Sequence, residues 1–108
     1  MPFVDINQIK EKETFPGFKG RFFHSETMTI AHWHIKAGSA APVHTHVHEQ
    51  TVSVISGQLE LTINGEAKVL GPGQGAVLPS MVPHGAKAVT DCYVIDTFSP
   101  IREDYKNL

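Results

Sequence analysis

Residues 58–70 read QLELTINGEAKVL. Two short runs of alternating apolar and polar residues flank Asn64 and Gly65, the dipeptide best suited to the two positive-φ positions of a type I′ turn, and the alternation makes the pair an antiparallel hairpin. The same grammar continues in both directions along the chain. Runs of four to eight residues, RFFHS (21–25), MTIAHWHI (28–35), TVSVIS (51–56), GAVLP (75–79), GAKAV (85–89) and CYVIDTFS (92–99), are closed by turn-forming stretches. The separators are AGSAAP (37–42), Ser56-Gly57, GPG (71–73) and PSMVP (79–83). No window sustains a helical stripe, so the expected architecture is an all-β barrel or sandwich. Ahead of it, DINQIKEKE (5–13) reads as a helical turn or irregular arm and FPGFKG (15–20) as a loop into the first regular strand.

With 108 residues the chain is expected to be one domain, residues 1–108, with an amino-terminal arm over 1–20 and a barrel over 21–105. A formal charge of −2, with lysine and arginine scattered, provides no basic stripe to follow a phosphate backbone. Nucleic acid is therefore not an expected partner. Charges enter too early for a secretory leader, and no run nears the roughly 18 apolar residues of a membrane span; the expectation is a cytoplasmic protein without a membrane partner. The single cysteine, Cys92, lies in the apolar run CYVI and reads as a buried, inert thiol. Seven histidines are the compositional excess.

Three of the seven lie close together in the middle of the chain, in VHTHVHEQ (43–50). In an extended strand alternate residues share a face about 6.6 Å apart, so His44 and His46 can aim two imidazoles at one point. On a straight strand Gln50 would lie about 13 Å beyond His46 and could not share an ion with it, so the chain must turn within Val47-His48-Glu49. After that turn Gln50 opens the next strand and its amide oxygen can return to the same centre. Spacing alone leaves open that His48 is the ligand and Gln50 a plain strand residue. GPGQGAVLPSMVPHG (71–85) then brings His84 within reach of the first pair.

These segments resemble the two motifs of the cupins: Gly38, His44, His46, Gln50 and Gly57 match the first, and Gly73, Pro79, Met81, His84 and Ala88 the second. The resemblance covers about residues 20–105 and implies a small double-sheet, jelly-roll-like β-barrel that holds one divalent ion. The implied ligands are His44, His46, His84 and Gln50, and the ion nickel, zinc, iron or manganese, among which the sequence does not choose. Three positions depart from the family pattern: Gln50 replaces glutamate, Met81 replaces glycine and Ala88 replaces asparagine. Gln50 removes a negative charge from the ligand set and leaves an ion that favours an anionic ligand. His32 and His34, either side of Trp33, read as a solvated or interface face, with the cavity mouth as the alternative.

The last strand carries an anomaly, Asp96 on the face shared by Val94 and Phe98, where a carboxylate must be paired, hydrogen-bonded or functional. One reading is a structural ion pair with Arg102, folding back after Ser99-Pro100. However, HTHVHEQ together with DTFSPIRED (96–104) resembles the pectin-degradation cupins of the KdgF type. That resemblance implies a glutamine ligand matching Gln50, catalytic Asp96 and Arg102, and a substrate-binding Phe98. It implies an enzyme that converts a 4,5-unsaturated monouronate, a small anionic sugar acid, to the linear 5-keto-4-deoxyuronate. The alternatives are another cupin metalloenzyme, a dioxygenase or isomerase on a small acid, or a non-catalytic small-molecule or metal-binding barrel. Family habit further implies a homodimer, with the faces of residues 21–25 and 28–35 as candidates for pairing.

Overall fold

Alternation along the chain resolves into ten antiparallel strands in a computed structural model that describes residues 2–108. After a 3-10 turn at Ile6–Gln8 come β1 (Lys12–Glu13), β2 (Phe18–His24), β3 (Thr29–Ile35), β4 (Ala40–His44) and β5 (Glu49–Ser56). They are followed by β6 (Leu59–Ile63), β7 (Glu66–Leu70), β8 (Gly75–Leu78), β9 (His84–Ala88), β10 (Cys92–Ser99) and α1 (Glu103–Lys106). Six strands form one sheet in the order β1-β2-β3-β10-β5-β8, and four form the other in the order β4-β9-β6-β7. The β6–β7 hairpin has the expected register, Leu59 opposite Leu70 and Ile63 opposite Glu66. Its corner has φ of 50° at Asn64 and 83° at Gly65, the left-handed pair that a type I′ turn demands.

Inward positions recur with a period of two. Ala31, Trp33 and Ile35 of β3, Val52 and Val54 of β5, Leu59 and Leu61 of β6, and Val94 and Phe98 of β10 are buried and meet between the sheets. Each side chain as enclosed as Phe98 or Leu59 contributes about 2–3 kcal/mol by leaving water. At the β5–β6 corner Gly57 has φ 83°, and a Cβ there would lie 2.1 Å from the Asp91 carbonyl oxygen. Neither the conformation nor the space admits another residue. Cys92 is buried, its thiol donating to the Gln58 and Thr90 carbonyls, and burial pushes its pKa up, as expected of an inert thiol.

Three local expectations are corrected. The stretch 37–42 is not all separator, because Ala40–His44 forms β4. Its proline, Pro42, is tolerated because β4 is an edge strand whose register shifts between Ala41 and His44, where a residue without an N–H fits. The segment 15–20 is not all loop either: β2 begins at Phe18, whose ring packs edge-on against Trp33 at 6.3 Å. The carboxyl terminus turns into α1, which no helical stripe announced. It is one turn long, and its Tyr105 packs on the core. Among the described residues no helix is long and apolar enough to cross a membrane.

Candidate metal centre and the cavity around it

β4 ends at His44 and the chain then bends at Val47 and His48 before β5 begins, which is the turn that the spacing required. β9 starts at His84, directly opposite His44 in the β4–β9 ladder. The ring centroids of His44 and His84 are 4.4 Å apart and those of His46 and His84 4.7 Å. One nitrogen of each ring lies within 4.8 Å of the others.

Each imidazole is oriented by main chain. Nδ1 of His44, His46 and His84 faces the carbonyl oxygens of Pro42 (2.8 Å), His48 (2.9 Å) and Val82 (2.9 Å). A carbonyl only accepts, so Nδ1 carries the proton and Nε2 presents a lone pair. Burial also holds the pKa of His46 and His84 below the usual histidine value, favouring neutral rings. Gln50 is buried on β5, and its side-chain NH2 donates to Asp96 Oδ2 at 3.0 Å. The amide oxygen therefore faces inward, 3.0 Å from His46 Nε2. Two acceptors directed at one another without a proton between them repel, and a cation resolves the conflict. The donor set, three imidazole nitrogens and one neutral carbonyl oxygen, thus fits a divalent ion. His48 is turned away: its Nε2 donates to the Ile101 carbonyl at 3.1 Å, so the reading of His48 as ligand in place of Gln50 is not supported.

Asp96 lies on β10, one strand from Gln50, and faces the cavity. Trp33 Nε1 and Gln50 Nε2 both donate to its Oδ2, at 3.1 and 3.0 Å, whereas its Oδ1 is buried with no hydrogen-bond partner. Burial outweighs these bonds and the nearby Arg102, and pushes the carboxyl pKa up to about 7. The alternative reading, a structural ion pair between Asp96 and Arg102, is not what forms. Arg102 instead grips Asp104 with Nε (2.9 Å) and Nη2 (2.7 Å), while its backbone N–H donates to Thr29 Oγ1 at 2.9 Å. This short-range fork is met without crossing the cavity. Arg102 and the buried Phe98 nevertheless line the same cavity as His44, His84, Gln50 and Asp96. Trp33, Thr29, Asp104 and Tyr105 escaped the sequence reading. Trp33 was detectable only as an inward position with a polar edge, and the others depend on how the carboxyl-terminal turn folds.

At residue 81 the family pattern has glycine, and the backbone explains why: Met81 has φ 67°, a left-handed conformation uncommon for a side chain of this size. Its N–H donates to the His46 carbonyl at 2.8 Å, so the strained residue helps hold the segment that carries His46. His32 and His34 do not reach the cavity mouth. They lie on the outer face of β3 around Tyr93, His32 hydrogen-bonded to its hydroxyl and His34 stacked on its ring at 4.9 Å.

Comparison with known proteins agrees with this arrangement. The cupin domain family matches residues 31–98. The pectin degradation protein KdgF of Dickeya dadantii (strain 3937) is 31% identical over 106 residues, covering 95% of this chain and 96% of the relative. Among solved structures, KdgF from a Halomonas species superposes with a TM-score of 0.90 at 30% identity, covering 97% of this chain and 98% of that one. An RmlC-like cupin from Shewanella frigidimarina NCIMB 400 superposes with a TM-score of 0.91 at 30% identity, covering 97% and 96%.

Proposed function

The chain belongs to the cupin family, and from that premise and the cavity around its histidines we propose that it is a metal-dependent enzyme that opens a 4,5-unsaturated monouronate to the linear 5-keto-4-deoxyuronate. His44, His46, His84 and Gln50 would hold the ion, which is nickel, zinc, iron or manganese. Bound by four neutral donors, it supplies an undiminished double positive charge that favours an anionic substrate and stabilises negative charge developing on oxygen.

The observation that carries the reading is the free Oδ1 of Asp96. A buried carboxylate oxygen without a donor is destabilising, so its retention beside the histidine cluster points to use. With a pKa near 7 the group can both take and return a proton at neutral pH. Asp96 Oδ1 takes the proton of the anomeric hydroxyl; the O–H electrons form the C1 carbonyl as the bond from C1 to the ring oxygen breaks. That pair forms the C5 carbonyl while the alkene electrons move to C4, which receives the proton. The reaction is an isomerisation, with no net proton gained or lost. Arg102 neutralises the substrate carboxylate, and Phe98 is an apolar wall that keeps the ring against Asp96. Pairing of two copies across the outer face that includes Phe23 and Ile30 completes the proposal.

The test is loss of ring-alkene absorbance from unsaturated galacturonate with metal-loaded, chelator-stripped and Asp96→Asn protein. Metal-loaded wild type should accelerate opening over the spontaneous rate, and Asp96→Asn should lose on the order of 10³-fold in turnover while keeping its metal. No acceleration by protein with metal bound would overturn the proposal. A binding barrel would lose little on Asp96→Asn, and oxygen uptake with a small acid would indicate a dioxygenase.

A further inference from the structure

Arg102 presents a problem of support. Its side chain is only 11% exposed, yet among the described residues its sole carboxylate partner is Asp104, two residues on and 60% exposed. The two bonds form a bidentate fork, but Asp104 belongs to the same short turn as Arg102, so the pair fixes the guanidinium relative to that turn and not to the barrel. The guanidinium lies instead against aromatic faces, its carbon 4.7 Å from the Phe98 ring centroid and 4.0 Å from that of Tyr105. The nearer face belongs to α1, a single helical turn with no stability of its own.

Tyr105 fastens that turn to the barrel. Its ring stacks on Phe22 with centroids 4.5 Å apart and planes within 16°, and stands edge-on to Phe98 at 5.6 Å and to Trp33 at 5.9 Å. It lines both the inner cavity and the recess outside it, where His44 and Arg102 also contribute. Flat contact on one side with Arg102 and on the other with the core makes this ring the bridge between the buried cation and the barrel.

We propose that Tyr105 is a positioning residue of the site, its ring holding the Arg102 guanidinium toward the cavity so that an anionic substrate meets a pre-oriented fork. The ring face, 4.0 Å from the guanidinium carbon, is assigned this role, and the hydroxyl, which also interacts with Arg102, a secondary one. The inference rests on the proposed role of Arg102 as anion anchor for its kinetic consequence, but not for its geometry.

Two measurements separate these. With unsaturated galacturonate, Tyr105→Leu should lower kcat/KM by about 10–30-fold, mostly through KM, and Tyr105→Phe should stay within about threefold of wild type. In an Arg102→Met background Tyr105→Leu should lower kcat/KM less than about twofold further, because the group it positions is gone. Equal losses in both backgrounds, or a Phe variant as impaired as the Leu variant, overturn the proposal. The second measurement needs no substrate: the Arg102 Nε–H resonance of the zinc-loaded protein should be ring-current shifted in wild type and Tyr105→Phe. In Tyr105→Leu, at unchanged zinc content, it should lose the part of the shift due to Tyr105 and keep only what Phe98 and Asp104 impose. An unmoved resonance in Tyr105→Leu refutes positioning whatever the substrate proves to be, whereas an inactive wild type with the expected shifts leaves Tyr105 in its role and removes only the uronate reading. Should the Leu variant not fold, Tyr105→Met, closer in length, takes its place.

Discussion

The chain writes the pattern His-x-His three times, and two of these, HWH at 32–34 and HTH at 44–46, have opposite results. In the first, β3 runs straight through the pair, so the rings stand side by side on the outer face, separated by the strand repeat of about 6.6 Å. Each is occupied by Tyr93, one through its hydroxyl and the other through its ring. In the second, the strand stops at His44, a main-chain carbonyl holds Nδ1 of each ring, and His84 arrives from β9 to complete the cluster. Histidine spacing proposes a metal site, but convergence needs a chain that ends its strand and carbonyls that set the tautomers.

The largest expected effect breaks the comparison directly. His84→Ala should lower metal affinity by more than about 100-fold, while His34→Ala should change it less than twofold, as measured by metal content after dialysis and by titration calorimetry. Equal losses would mean that the outer pair also binds.

An intermediate effect concerns what the inner face stores without its ion. Asp96 has a folded-state pKa of about 7 against 3.8 for the free group. Between those values the folded chain binds a proton that the unfolded chain has released, so the stabilisation is fully present below about pH 4, declines as pH rises toward 7 and stays low above it. His46 and His84, held below the usual histidine value, act in the opposite sense, so the Asp96 contribution is read as a difference between variants. In urea unfolding of the chelated protein, wild type minus Asp96→Asn stability should fall by a few kcal/mol across that window, at about 1.4 kcal/mol per pKa unit. A difference that is flat or rises from pH 4 to 7 would refute the burial argument.

The smallest effect sharpens the role of the loop that carries His46. Met81→Gly removes left-handed strain of roughly 1–2 kcal/mol at an entropic cost of about 0.5–1 kcal/mol. The expected gain is about 0.5 kcal/mol in thermal unfolding with metal affinity unchanged; a clear loss of stability would show that the thioether contributes packing that offsets the strain.

Legibility followed locality. The β6–β7 hairpin was readable because Asn64 and Gly65 carry their turn in their own conformational preferences, and the turn at Val47 and His48 because distance forbade any other way for Gln50 to return. β4 was missed because it begins inside the turn-forming stretch AGSAAP, whose Pro42 is harmless at a sheet edge. The structural reading of Asp96 and Arg102 as an ion pair, the alternative to a catalytic role, fails because two opposite charges close in sequence look like partners until the fold supplies a nearer one, Asp104. Trp33 and Tyr105 carry no motif at all.

Taken alone, the sequence determined what depends on period, turn chemistry and spacing: an all-β chain, its hairpin, a bend before Gln50 and a set of candidate donors in two motifs. Only the tertiary structure decided which donors converge, because that is set by register between strands far apart in the chain. His84 opposite His44, Gln50 and Asp96 on adjacent strands, and Arg102 held against Tyr105 are relations between elements, and no single stretch of residues contains them.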